Sequence, residues 1–258
     1  MCGRLNMQAD PRDLAADLGA VYEAYAARPR YNVPPGAVLP IIVSRPNEDG
    51  ELSTQIRSAR WGLVPGWAKD VKIGFRAFNA RVETVASKPM FRAAFAARRC
   101  VVAVNGYYEW QALAELGETG TAASKARTLK QPWLMHAADD DWLFMAGLYE
   151  FKRLSDGERT GEGDPAVYGD WLVSTTIMTC PARGHLAEVH DRMPIMLDRG
   201  QVDTWIEPSM AGDAASAALA GLIDGFDPER ILRYRVDPAV GNVRNDYESL
   251  TAPLPEPA

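Results

Sequence analysis

Cys2, Glu109 and His190 are the residues of this chain whose types and settings could do chemistry rather than pack. Loss of the initiator methionine is expected when the next side chain is as small as Cys, and the product begins with an α-amine and a thiol two carbons apart. Such a 1,2-aminothiol condenses with an aldehyde: the amine forms a Schiff base, then the thiol closes onto the imine carbon to give a thiazolidine. An α-amine of pKa about 7.7–8.0 keeps a usable neutral fraction at pH 7, whereas a Lys amine near about 10.4 does not. Behind a retained Met1 the same Cys is an ordinary thiol.

Glu109 stands in Gly106-Tyr107-Tyr108-Glu109-Trp110, directly after the apolar run Val101–Val104. Among aromatics at the end of a buried strand its charged form is poorly solvated, which raises its pKa and suits it to proton transfer; just past the strand end, in water, it does neither. Of the histidines His136, His185 and His190, the last lies beside Asp191 and Arg192 and is the best general-acid candidate, the alternative being a packed or surface imidazole. Trp67 closes Trp61-Gly62-Leu63-Val64-Pro65-Gly66-Trp67. Trp61 reads as core, and Trp67 reads either as core or as a ring at a surface rim on which a base could stack.

The elements that must position these groups fit one α+β domain over residues 1–250, with 251–258 as a Pro-containing, disordered tail. At 258 residues, 47% hydrophobic and 24% charged, the chain can bury a large core. No N-terminal apolar stretch or run of about 18 apolar residues suggests a signal or a spanning helix, so a cytoplasmic protein without membrane contact is expected. Cys2, Cys100 and Cys180 are odd in number and far apart, which speaks against a disulfide framework or a zinc knuckle. The net charge of −6 disfavours nucleic acid taken alone, yet residues 72–99 hold seven cationic side chains against Glu83, so a basic face is compatible with an acidic whole. The alternative is a solvated surface opposite acidic neighbours.

Asp10-Pro11 predicts a helix start, with apolar spacing carrying the helix over 11–26. Strands are predicted at 38–43, 52–61, 101–104, 132–137, 141–151, 171–179, 195–197 and 231–236, and helices at 82–97 with a break at Pro89, 180–190, 201–206 and 211–223. Residues 112–131 and 153–166 read as polar excursions from hairpins.

Six motifs in order, Met-Cys-Gly-Arg at 1–4, Tyr-Asn-Val-Pro-Pro-Gly at 31–36, Arg-Trp-Gly-Leu-Val-Pro-Gly-Trp-Ala-Lys at 60–69, Asn-Ala-Arg-Val-Glu-Thr at 79–84, Gly-Tyr-Tyr-Glu-Trp at 106–110 and His-Asp-Arg-Met-Pro at 190–194, resemble the SRAP family of SOS-response-associated peptidases. The resemblance implies mostly antiparallel strands in a barrel-like core with peripheral helices and a basic cleft at the N-terminus. It implies self-processing at the N-terminus and covalent capture of abasic sites in single-stranded DNA by a monomer, without cofactor or metal, at the nucleoid when bound. Cys2 would be the nucleophile, Asn79 would hydrogen-bond the thiazolidine and the sugar hydroxyl, Glu109 would deprotonate the α-amine, and His190 would be the acid in ring opening. Arg4, Arg81, Arg192 and Thr179 would meet phosphates, and Trp67 with Pro35 would wedge against flanking bases. Ala68 follows Trp67 where some relatives carry a second aromatic.

Two other readings compete. An N-terminal-nucleophile amidohydrolase can also begin Met-Cys-Gly, although apolar strand residues usually follow there and Arg4 and Asn6 do not fit. A DNA-binding module without chemistry is the other. A Schiff base also permits β-elimination, so strand-cleaving lyase activity is a further expectation.

Overall fold

A computed structural model describes residues 2–24, 28–47, 49–113, 130–139, 141–158, 164–210 and 212–255. The strands are β1 (Leu5–Met7), β2 (Val21–Glu23), β3 (Arg30–Val33), β4 (Val38–Pro46), β5 (Leu52–Trp61), β6 (Asn79–Arg81), β7 (Arg99–Val104), β8 (Gly106–Ala112), β9 (Lys130–Ala137), β10 (Leu143–Arg153), β11 (Val167–Tyr168), β12 (Trp171–Pro181), β13 (Arg192–Pro194), β14 (Met196–Leu197) and β15 (Ile231–Arg235). The α-helices are α1 (Pro11–Leu18), α2 (Arg92–Ala97), α3 (Val202–Ile206) and α4 (Asp213–Gly225). The architecture is α+β with mostly antiparallel strands, as expected.

Strands β12, β10, β7, β4 and β5 pair in that order, and β5 then pairs back onto β12 in parallel, with Ser174 opposite Arg60 and Thr175 opposite Trp61. The ring is a closed five-stranded barrel. Every residue of β7 is buried, which accounts for its unbroken apolar run. Inside the ring Gly147 lets β10 approach β7, since a Cβ there would stand 3.0 Å from Cys100 Sγ. A second, antiparallel sheet, in the order β15-β9-β8-β1-β3, lies beside the barrel and carries the start of the chain as an inner strand.

Three expectations change. The first helix stops at Leu18, because Gly19 adopts the left-handed conformation (φ 60°) and its N–H caps Ala15 and Ala16, after which the chain extends into β2. Of the 82–97 helix only Arg92–Ala97 is helical, because residues 82–91 run through turns after 79–81 pair with β12. Leu5–Met7 is a buried strand despite Asn6, which is itself 2% exposed. The polarity of Arg4 and Asn6 therefore does not argue against a strand after Cys-Gly.

The end of the chain was expected to be a loose tail, yet residues 248–251 form a 3₁₀ turn and Leu254 N–H donates to Arg235 O at 2.8 Å. Residues 256–258, 114–129 of the first excursion and 159–163 of the second lie outside the described residues. Among the described residues, no helix is long and apolar enough to cross a membrane.

Candidate active site

Cys2 sits two residues ahead of Arg4, whose carbonyl pairs the head of the chain with Tyr108 N–H at 2.9 Å, so the central strands of the second sheet hold it in place. Its thiol is fully buried; burial, then the nearby Glu109, pushes its pKa well above the ordinary value. The sulfur is therefore a thiol at neutral pH. The Cys2 carbonyl accepts from Asn79 Nδ2 at 2.6 Å. Asn79 opens β6, whose parallel pairing with β12 places it opposite Ile177. Its Oδ1 is buried without a partner, an acceptor available to a ligand hydroxyl.

Glu109 lies within β8, not past its end, because β9 pairs along the whole strand and sets Trp133 opposite it. The carboxyl is 3% exposed. Burial pushes its pKa to about 7, against the positive chain terminus and a backbone bond at Trp110. At neutral pH it thus divides between base and acid forms. His190 follows the 3₁₀ turn Gly184–Glu188. Its Nδ1 accepts from Arg192 N–H at 3.0 Å and lies 2.8 Å from an Asp191 carboxylate oxygen. Burial first, then the positive terminus, lowers its pKa. The neutral imidazole therefore keeps the Arg192 N–H bond at Nδ1 and presents Nε2–H as donor, and Asp191 becomes the Nδ1 partner on protonation.

The cationic residues divide. Arg81 is exposed beside Asn79. Arg192 instead forms a two-point pair with Glu83 (2.6 and 3.0 Å) and donates to Thr179 O at 2.7 Å; Thr179 is fully buried. In this arrangement Arg192 and Thr179 fasten β13, β12 and the 79–84 segment together, with Arg192 Nε left without a partner. Arg4 donates to Asn32 Oδ1 and Val240 O, both at 2.7 Å, and lies 5.6 Å over Trp110. Asn32 in turn donates to Val240, Asn242 and Asn245 carbonyls, so the Tyr-Asn-Val motif secures the 240–245 loop. Within the basic segment Arg98 pairs with Glu150 at 2.5 Å. Arg99 is 3% exposed and donates to carbonyls at the ends of α2 and α3, leaving Lys72, Arg76, Arg81, Lys88 and Arg92 exposed.

Trp67 is 60% exposed on a loop bound to β12 through Gly62 N–H to Thr175 O and Val64 N–H to Ser174 Oγ, both 2.8 Å. Gly62 (φ 133°) is required there: a Cβ would meet Gly74 O at 2.5 Å. The same contact fixes Phe75, which is 63% exposed and rests on Gly36 beside the half-buried Pro35. Phe75 adds an exposed apolar ring beside Pro35 that the sequence reading did not single out; its signal was an aromatic isolated between Gly74 and Arg76. Glu83, the partner of Arg192, was likewise missed as a functional neighbour.

A family model described as SOS response associated peptidase (SRAP) matches residues 1–243. The abasic site processing protein YoaM of Bacillus subtilis is 29% identical over 97% of this chain and 97% of its own. The abasic site processing protein YedK of Escherichia coli is 28% identical over 98% of this chain and 100% of its own. A crystal structure of a Bacteroides thetaiotaomicron protein shares the fold with a TM-score of 0.74 at 21% identity, covering 98% of this chain and 100% of that one. With most of its length matched, this chain belongs to the SRAP family.

Proposed function

We propose that this protein captures abasic sites in single-stranded DNA as a thiazolidine crosslink through Cys2, after its own site has removed Met1. The observation that carries the reading is the convergence on Cys2 of Asn79, whose amide holds the Cys2 carbonyl while its oxygen is left open, and of Glu109, a buried carboxyl titrating near neutrality. The names of YoaM and YedK support the same substrate.

The protonated form of His190, its Nδ1–H held by Asp191, gives its Nε2 proton to the ring oxygen while the C1′ hydroxyl loses its proton to water, so the closed deoxyribose opens to its aldehyde and neutral His190 is left. Glu109 takes a proton from the α-ammonium, and the free amine adds to the aldehyde carbon. Water leaves to give the Schiff base. The Cys2 sulfur then adds to the imine carbon while the nitrogen takes up the thiol proton, closing the ring. Asn79 Oδ1 accepts from the sugar hydroxyl freed by opening. Pro35, Trp67 and Phe75 provide an apolar rim for the neighbouring bases, Arg81 a cation for the backbone, and Arg4, Arg192 and Thr179 hold the frame. With Met1 attached the nitrogen of Cys2 is an amide and cannot condense, so self-processing precedes capture. The Schiff base stage also allows β-elimination, giving a slower strand-cleaving lyase reaction.

The test is a uracil-containing oligonucleotide treated with a glycosylase, incubated with protein whose intact mass is lower by one Met, and run on a denaturing gel. A shifted band lost in Cys2→Ala supports capture, and cut strand without a band assigns the lyase route alone. No band and no cleavage from fully matured protein overturns the proposal, and glutamine turnover in that material indicates the amidohydrolase.

A further inference from the structure

The register of the second sheet runs one line of residues sideways from the reactive terminus. Glu109 on β8 faces Trp133 on β9, and Trp133 faces Arg235 on β15. Residues directly opposite in antiparallel strands share a face, so these three side chains leave the sheet on one side. In the other direction Leu5 faces both Tyr107 and Val33. Continuing that register by two residues sets Gly3 between Glu109 and Pro35. With strands about 4.8 Å apart, Trp133 stands roughly 5 Å and Arg235 roughly 10 Å from Glu109, away from the Pro35 rim.

On that side the surface is hollow. A cavity of about 500 Å³ lies over Gln111, Gln131, Trp133, Arg233 and Arg235, with Leu254 as a further wall. Arg233 lies 4.9 Å over the Trp133 ring and is ion-paired to Glu188, two residues before His190. Trp133 Nε1 donates to Gln111 Oε1 at 3.1 Å, and Gln111 Nε2 to Glu188 O at 3.0 Å, which ties the cavity wall to the turn that carries the imidazole. Arg235 donates to the neutral Pro255 carbonyl at 2.5 Å, so Glu188 balances only one of the two guanidinium charges. Lys130, at the start of β9, adds a cation close enough to act on His190.

We propose that this cavity is a second nucleotide subsite, which receives the nucleotide next to the abasic one on the side away from Pro35, Trp67 and Phe75. Its base packs on the Trp133–Arg233 stack, its edge donates to Gln131 Oε1, whose Nε2 is held by the Pro132 and Val236 carbonyls, and its phosphate meets Arg235. An acidic peptide would use the cations alone; an indole one strand spacing from Glu109, with an amide oxygen and a guanidinium beside it, matches a base and its phosphate. The subsite rests on the abasic-DNA reading above.

The test is the affinity of single strands carrying a central tetrahydrofuran abasic analogue, measured by fluorescence anisotropy over a salt series, with the strand full-length or cut back to the abasic position on its 5′ or its 3′ side. Arg235→Ala is expected to weaken full-length binding roughly five- to tenfold at about 50 mM salt and to lower the log–log salt slope by about 0.7, the release expected for one phosphate contact. Cutting back one side, and only one, removes the difference between variant and wild type. Arg12→Ala, which removes a positive charge on α1, binds as wild type does. If Arg235→Ala matches wild type on every strand, or loses the same factor on all of them, the subsite is wrong while crosslinking of a genuine abasic strand still stands. If wild type forms no crosslink either, the parent reading falls with it.

Discussion

Replacing Glu109 by Gln separates the stability of this fold from its chemistry. The native carboxyl titrates near about 7 against an ordinary 4.5, chiefly because it is buried. The native state therefore binds this proton more tightly than the unfolded chain does. The stability that this group confers is full below about pH 4.5 and is lost as pH rises through about 7. The gap corresponds to about 3 kcal/mol at pH 8. A Gln keeps the shape and stays neutral at every pH. Glu109→Gln should match wild type near pH 5 and exceed it by up to about 3 kcal/mol at pH 8, roughly 6–12 °C in Tm for a chain of this size. It should also lose crosslinking at both pH values. Thermal unfolding across pH 5–8, with a crosslinking gel at each point, measures both. A stability difference that does not change with pH, or a Gln variant less stable than wild type at pH 8, would refute the reasoning.

Asn79→Ala removes the amide that holds the Cys2 carbonyl and should slow crosslink formation about tenfold, read from single-turnover gels, in line with one lost hydrogen bond of about 1 kcal/mol or more. Trp67→Ala and Phe75→Ala should each cost about 1–3 kcal/mol of affinity for an abasic strand. Because both rings are exposed, unfolding should stay within about 0.5 kcal/mol of wild type. Arg192 holds the Glu83 carboxyl below its usual pKa, so wild type should be more stable than Glu83→Gln at neutral pH. That advantage should vanish as pH falls through the depressed Glu83 pKa, and urea unfolding at stepped pH reads a difference of about 1 kcal/mol or less for this half-exposed pair.

Local pattern carried the strands well: the β-branched run of β4, its partner β5 and the apolar run of β7 are where the sequence places them, because strand pairing there follows from burial of adjacent residues. Helix limits were less legible. One left-handed glycine ended α1 and a series of turns over 82–91 delayed α2, and neither outweighs periodicity in a sequence window. Whether Glu109 was buried or wet depended on how far β9 continued past it, which only the sheet reveals. The arginines were the least legible residues. Arg81 and Arg99 both lie in the basic stretch, yet one is in water and the other caps two helices, since a guanidinium fits either setting and distant carbonyls decide. The motif at 79–84 was read for Asn79 and Arg81, while Glu83 proved to be the anchor that takes Arg192.

Closing the barrel through Ser174 against Arg60 has a consequence for a nascent chain on the ribosome. Residue 2 leaves the exit tunnel first, but the Arg60–Trp61 end of β5, beyond the stretch that β2 pairs, gains its second neighbour only when β12 has been synthesised, and the imidazole follows later still. Contacts so distant along the chain form late. On the proposed reading the terminus is made at the outset and armed at the finish, so that a half-translated polypeptide meets stray cellular aldehydes without the help of a completed pocket.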